Sequence, residues 1–302
     1  MSGDRPTRAG HAAYARLEVL ETGPLALLQD RGRPGLSDLG VCTSGAADRA
    51  AHALGARLLG QDTDLAAIEV HHGGLALRAD RAVLVVLTGA PTTATADGIP
   101  VGHAAPFVLG DGAVLDLGRP TSGLRTYVSV RGGIDVDPVL GSRSHDTLSA
   151  IGPPPLRRGD LLPVGAPVGH PTVDVAPVPT PSAGTVTLEV LPGPRDDWLR
   201  DVAELTSSAW TIDPASDRVG VRLAGPALTW SARFAGRELP SEGVVRGAVQ
   251  VPADGRPVVF LADHPVTGGY PVVAVLTERS ADLAAQLVPG QGVRLRLVSS
   301  RP

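Results

Sequence analysis

The chain has 302 residues, 43% hydrophobic and 19% charged, a globular balance that excludes a fibrous or disordered protein. Its formal charge of −4 argues against a surface for nucleic acid or anionic membranes, and no apolar run approaches the ~20 residues of a membrane span. All 27 basic residues are arginine; a Schiff-base lysine and a P-loop lysine are therefore excluded, and anion recognition falls to Arg forks, backbone N–H groups or helix N-termini.

Residues 1–16 are polar, carry no apolar stretch suited to a signal peptide and read as a disordered tail, with the cytoplasm as the default address. From Leu17 onward short apolar runs alternate with turn residues. Leu17–Leu20, Leu25–Leu28, Leu75–Leu77, Ala82–Leu87, Val114–Leu117 and Tyr127–Val130 read as strands. Ala47, Ala51, Leu54 and Leu58 recur at helical spacing, with Ser44 as N-cap and Gly60 as the stop. Residues 166–184 are Pro-rich and aperiodic and read as a linker.

Beyond it, Val186–Leu191, Val221–Leu223, Ala248–Val251, Val258–Leu261, Val272–Leu276 and Val293–Val298 read as strands. Asp196–Leu205 reads as a helix with Trp198, Val202 and Leu205 on one face, and Ser280 as the cap of a last helix carrying Leu283 and Leu287. The expected architecture is mainly β with a few short helices: two β-barrel-like domains, 17–165 and 185–302.

Three regions concentrate groups capable of chemistry. Gln29-Asp30-Arg31-Gly32-Arg33-Pro34-Gly35 sets an acid, an amide and two arginines among turn-formers. It is a ligand-gripping loop or a turn held by an Asp30–Arg ion pair. Gly141-Ser142-Arg143-Ser144-His145-Asp146 makes an anion nest of hydroxyls and backbone N–H groups. Residues so close on one turn do not orient as a catalytic triad, and no G-x-S-x-G elbow is present.

The third region runs through Ser216-Asp217-Arg218, Ser241-Glu242-Gly243, Gln250-Val251-Pro252 and Asp263 to Pro271. Its polar residues sit at strand ends, where a barrel mouth would present them. Glu69, an acid inside the apolar run Ala67–Val70, is edge-facing or buried beside a partner such as an arginine, with the second reading favoured. His71 and His72 are adjacent and cannot chelate one metal from a strand, so no structural metal is expected, and the single cysteine, Cys42, excludes an intrachain disulfide.

In order along the chain, these motifs resemble the KipA family, also called allophanate hydrolase subunit 2 or carboxyltransferase subdomain A/B proteins. The resemblance rests on Gln29–Gly35, Gly45-Ala46-Ala47-Asp48, Gly141-Ser142-Arg143-Ser144, Ser216-Asp217-Arg218 with Gly220 and Arg222, Ser241-Glu242-Gly243, Gln250-Val251-Pro252 and Thr267-Gly268-Gly269-Tyr270-Pro271. It covers Leu17 to Val298. Two positions depart from the pattern: His145 in place of a small hydroxyl residue and Arg246 in place of proline.

The resemblance implies cyclophilin-like β-barrels and a KipI-like partner that shares the active site, as a heterodimer or heterotetramer. It implies three functions: ATP-dependent opening of 5-oxoproline with a separate hydrolytic component, carboxyl transfer from carboxybiotin to urea or another amide, and antagonism of a kinase inhibitor. The first is the leading expectation, with ATP and Mg²⁺ as cofactors. In that reading Arg33, Arg143, Arg218 or Arg222 clamps the anion, and Asp30, Asp48, Glu242 or Asp263 holds metal or orients substrate. Gln29, Gln250 and Tyr270 hydrogen-bond the lactam or nucleotide, and Ser142, Ser241 and Thr267 complete the binding set. Carboxyl transfer requires a separate carrier, because a sequence without lysine has no biotin-attachment site.

Overall fold

A computed structural model describes residues 14–298 except residue 235. Eleven strands precede residue 165: β1 (Ala15–Thr22), β2 (Leu25–Gln29), β3 (Ala67–His71), β4 (Leu75–Ala79), β5 (Val83–Gly89), β6 (Thr92–Ala96), β7 (Ile99–Pro100), β8 (Phe107–Leu109), β9 (Val114–Pro120), β10 (Arg125–Val130) and β11 (Leu161–Val164). They form a six-stranded sheet ordered β11-β1-β4-β9-β6-β7 and a five-stranded sheet ordered β2-β3-β10-β5-β8. Strand alternation sends Leu28, Ile68, Val70, Val85, Leu87 and Val128 of the smaller sheet into one core with Leu17, Val19, Leu75, Leu77, Leu115 and Leu117 of the larger.

The same alternation gives the five-stranded sheet a second face that carries a polar cluster beside apolar Leu27 and Val86. Register pairs Tyr127 with Glu69 and Arg125 with His71, and residues two apart along a strand share a side. Arg125, Tyr127, Glu69 and His71 therefore stand together, away from the apolar core. Helix α1 (Arg49–Leu58) covers part of this face, and Thr88 Oγ1 donates to Ala51 O at 2.8 Å.

The second half supplies β12 (Val186–Pro192), β13 (Trp210–Ile212), β14 (Gly220–Ala224), β15 (Glu242–Gly243), β16 (Ala248–Gln250), β17 (Val258–Phe260), β18 (Thr267–Gly268), β19 (Val272–Leu276) and β20 (Gly292–Leu297). Seven close into a barrel ordered β12-β19-β16-β17-β14-β13-β20, with β12 and β20 parallel. β15 and β18 pair separately as a two-stranded ribbon. The barrel interior is filled by Leu188, Val190, Trp210, Leu223, Val249, Leu261, Val273 and Leu295. The hydrogen-bonded ring is complete in this half, whereas the first half forms two sheets. Residues 165–185 hold no regular element; Ala176 N donates to Ala104 O, and Gln291 Nε2 donates to Ser182 O and Gly184 O.

Three local expectations need correction. The N-cap of α1 is Asp48, whose Oδ1 accepts from Ala51 N at 2.9 Å, while Ser44 lies in the left-handed region at φ 54°. Helix α3 (Glu278–Ala284) is capped by Thr277, one turn before Ser280. The expected helix over Asp196–Leu205 divides into a 3₁₀ turn at Asp196–Trp198 and helix α2 (Ala203–Ser207). Backbone pairing causes that break: Ser231 N donates to Trp198 O, and Arg200 N to Thr229 O. Trp198 stacks on Phe234 at 4.4 Å between ring centroids.

Candidate functional site

The first motif follows β2 and turns at once. Gly32 holds φ 84°, and a Cβ there would lie 2.2 Å from Thr43 O, so only glycine lets the loops at 30–34 and 43–46 touch. The turn aims Asp30 at the mid-chain motif. Its Oδ1 accepts from Ser142 Oγ and Ser144 Oγ, each at 2.6 Å, and from Gly32 N at 2.7 Å, while Oδ2 accepts from Arg143 N at 2.6 Å. Two motifs far apart in sequence are thus joined by one buried carboxylate.

Around this joint lies a cavity of about 630 Å³ lined by Asp30, Gly32, Thr43, Arg49, His52 and Arg143, among others. Arg49 opens α1 and its guanidinium makes no hydrogen bond among the described residues. Arg143 is partly engaged: Nε donates to Val136 O at 2.6 Å and Nη2 pairs with Asp135 at 2.7 Å. His52 is buried with its ring edge-on to Tyr127, and burial lowers its pKa, leaving a neutral imidazole on the wall at physiological pH.

Beneath this cavity the polar sheet face meets the barrel half through a buried ionic network. Arg218 donates to Asp263 from Nε at 2.8 Å and from Nη2 at 3.1 Å, and through Nη1 to Glu69 Oε1; Nη2 also reaches Gly45 O at 2.7 Å. Glu69 Oε2 accepts from Tyr127 OH at 2.7 Å and Ala47 N at 3.0 Å. Asp263 accepts from Ser44 Oγ at 2.6 Å and Thr147 Oγ1 at 2.7 Å. Burial alone would raise both carboxyls, but Arg218, joined at Glu69 by Arg125, outweighs it and holds both below the usual range.

Asp48 behaves differently. Burial pushes it up to about 6 against the pull of Gln286 and Ala51, whose nitrogens donate to it at 2.7 and 2.9 Å. No arginine makes an ion pair with it among the described residues.

The candidates therefore divide by place. Asp30 and Arg143 line the 630 Å³ cavity; Ser142 and Gln29 support it from behind, Gln29 Nε2 donating to His145 O at 2.8 Å. Arg33 is not available to a ligand: it is 2% exposed and turned inward, its Nη2 donating to Ser144 O. Arg218 and Asp263 are not clamp and metal holder, because each satisfies the other inside the protein. Asp48 is a buried cap, and Arg222 points outward from β14.

Glu242 pairs with Arg195, and Ser241 and Thr267 lie exposed at the β15–β18 ribbon. Gln250 donates to Tyr270 O at 3.0 Å, and Tyr270 lines a separate cavity of about 910 Å³ with Trp230 and Glu238. The sequence motifs do not include Arg125, Tyr127, Thr147 or Gln286; strand register is the signal that unites Arg125 and Tyr127 with Glu69. Of the two departures, His145 Nδ1 lies 2.9 Å from Pro153 O, and Arg246 ties Asp282 to Ala47 O, at 2.6 and 2.7 Å.

A model of the carboxyltransferase domain, subdomain A and B, matches residues 39–297. The chain is 34% identical to the C-type subunit of 5-oxoprolinase from Escherichia coli, over 92% of its length and 89% of that protein's. It is 31% identical to urea amidolyase of Saccharomyces cerevisiae over 92% of its length but 16% of that enzyme's. The solved urea amidolyase of K. lactis superposes with a TM-score of 0.89 at 27% identity, covering 97% of this chain and 19% of that one.

Proposed function

We propose, from a chain that belongs to the carboxyltransferase subdomain A and B family, that this protein is the C-type subunit of an ATP-dependent 5-oxoprolinase complex. The observation that carries this reading is the two-way coverage of the match to the Escherichia coli 5-oxoprolinase component, 92% of one chain and 89% of the other. In the proposed reaction the lactam oxygen takes the γ-phosphoryl group of ATP and ADP leaves. Water then adds to the activated carbon and the ring C–N bond breaks with a proton passing to nitrogen, giving γ-glutamyl phosphate; a second water hydrolyses this acyl phosphate to glutamate and phosphate. The chain's part is to bind and orient: Arg49 and Arg143 on the 630 Å³ cavity supply positive charge, and the Asp30 joint fixes both loops.

The candidate acids among the described residues do not fit Mg²⁺. Asp30 already accepts four hydrogen bonds, Asp263 and Asp48 are buried and engaged, and Glu242 is held by Arg195. Among the described residues no group of three or more His, Cys, Asp or Glu is placed to hold a cation. A shared active site, with metal-binding groups on a KipI-like partner, accounts for this.

The test is ADP release by the chain co-purified with its KipI-like partner in the presence of Mg²⁺, ATP and 5-oxoproline, with glutamate followed when the separate hydrolytic component is added. ADP formation that needs 5-oxoproline and both chains is the expected result. A stable complex that leaves ATP untouched overturns the reading. The likeness to urea amidolyase favours carboxyl transfer as the second reading, detected as carboxylation of urea by a separate carboxybiotin carrier.

A further inference from the structure

The polar sheet face carries one cation that the ionic network leaves under-partnered. Arg125 opens β10 opposite His71 of β3 and is 1% exposed. Its Nη1 donates to Ala285 O, whereas Nε, 3.4 Å from Glu69 Oε1, makes no hydrogen bond among the described residues. Glu69 meets it as an ion pair without a hydrogen bond, its Oε1 lying against Arg218 and its Oε2 against Tyr127 and Ala47 N. A buried guanidinium with spare donors is costly unless something else accepts from it.

Arg125 lines a cavity of about 250 Å³ built by both halves of the chain, with His71 on one side and Ile212, Asp217 and Leu287 on the other. Drug-sized sites run to roughly 300–1,000 Å³, so this one suits a small metabolite. Its walls are mainly apolar. Asp217 sits at the exposed rim with Oδ1 accepting from Val219 N at 2.8 Å and Gly220 N at 3.0 Å.

We propose that this cavity binds a small carboxylate, its oxygens on the planar fork of Arg125 and an N–H of the same molecule directed to Asp217. A planar guanidinium matches a carboxylate edge-on. The Asp217 charge at the rim opposes a phosphate dianion and favours a monoanion that also carries a hydrogen-bond donor. His71, pushed down to about 4 by burial and by Arg125, is a neutral neighbour that can donate one N–H. Both 5-oxoproline and glutamate have the required chemistry. Assigning the cavity to the first would rest on the oxoprolinase reading, but the carboxylate site does not.

The test uses the full chain alone, with sodium acetate, L-5-oxoproline, L-glutamate and the uncharged lactam 2-pyrrolidinone as probes. Calorimetry reads affinity, and the His71 ring resonance reads charge beside it. A bound carboxylate is expected to raise the His71 titration midpoint, and 2-pyrrolidinone to leave it unmoved. Arg125→Gln is expected to weaken carboxylate binding at least tenfold. Pro214→Trp, at an exposed position on the cavity mouth, tests the same point without touching the buried network and is expected to do likewise.

A His71 midpoint indifferent to all three carboxylates, or affinity unchanged in Pro214→Trp, overturns the proposal. Binding of 5-oxoproline supports the site as a lactam subsite, and binding of glutamate as a product subsite. Binding of acetate but of neither 5-oxoproline nor glutamate supports the Arg125 contact and overturns the N–H contact to Asp217. None of these outcomes decides the oxoprolinase reading, which ADP release tests separately.

Discussion

At the scale of single residues, the polar sheet face sorts its acids by their partners. Glu69 and Asp263 touch guanidinium and are held ionised, whereas Asp48, equally enclosed, meets only amide donors and rises from 3.8 to about 6. The sign of the resulting pH dependence follows from proton counting. Between about pH 4 and 6 the folded chain binds more protons at Asp48 than the unfolded chain does, so this group's contribution to stability falls as pH rises through that window. At about 1.4 kcal/mol for each pKa unit, the full loss is on the order of 3 kcal/mol. Asp48→Asn keeps a side-chain oxygen for the helix cap but cannot ionise. Urea unfolding at intervals from pH 4 to 7 is expected to show wild type losing stability relative to D48N as pH rises. Parallel curves for the two proteins would refute the assignment.

At the scale of elements, α1 owes its position to a glycine that helix propensity disfavours. A Cβ on Gly55 would lie 2.4 Å from Ser129 Oγ and 3.2 Å from Ser129 Cβ, so the helix sits close on β10 because the side chain is missing. Gly55→Ala gains about 1 kcal/mol of helix propensity and loses more to overpacking, typically about 1–3 kcal/mol. The net expectation is a lower urea midpoint for G55A. In a Ser129→Gly background the clash is gone, and the same substitution is expected to raise the midpoint; a lower midpoint in both backgrounds would refute this account.

Elements of this kind are unevenly legible in the sequence. Strands such as β1 and β14 declare themselves by alternating apolar residues between turn-formers, and β5 by a continuous apolar run. Helix starts are less readable, because Ser44 and Asp48 are both good caps and only a tertiary contact, Ser44 Oγ to Asp263, separates them. The site follows the same rule. Asp30 and Arg143 are recognisable as residues in turns dense with functional groups, and Glu69 as an acid in an apolar run. Arg125 and Tyr127 look like ordinary strand residues until register sets them beside Glu69 and His71. Gln286 enters through an amide that accepts from Leu124 N and Arg125 N, a contact between distant parts of the chain that no local pattern announces.

At the scale of the whole molecule, those long-range polar contacts decide how the halves behave together. The sheets before residue 165 and the barrel after residue 185 have separate apolar cores. Arg218 of the barrel half reaches across to Glu69 while holding Asp263 of its own half, and Gln286 reaches Asp48. Removing one member of such a buried set strands its partners, at a cost of about 3–5 kcal/mol, because the remaining charges lie away from water. Arg218→Met leaves Glu69 with Arg125 alone and Asp263 with no cation at the junction, so its cost falls on the contact between the halves more than on either core. Calorimetry of the wild type is expected to give one cooperative transition. R218M is expected to unfold earlier and to split into two transitions, one for each core. Restoring neutrality with Asp263→Asn in the R218M background, which leaves Glu69 paired with Arg125, is expected to recover part of the lost stability, since an uncharged amide costs less to bury than an unpaired carboxylate. A single transition in R218M at the wild-type temperature would mean that apolar contact, and not this network, couples the halves.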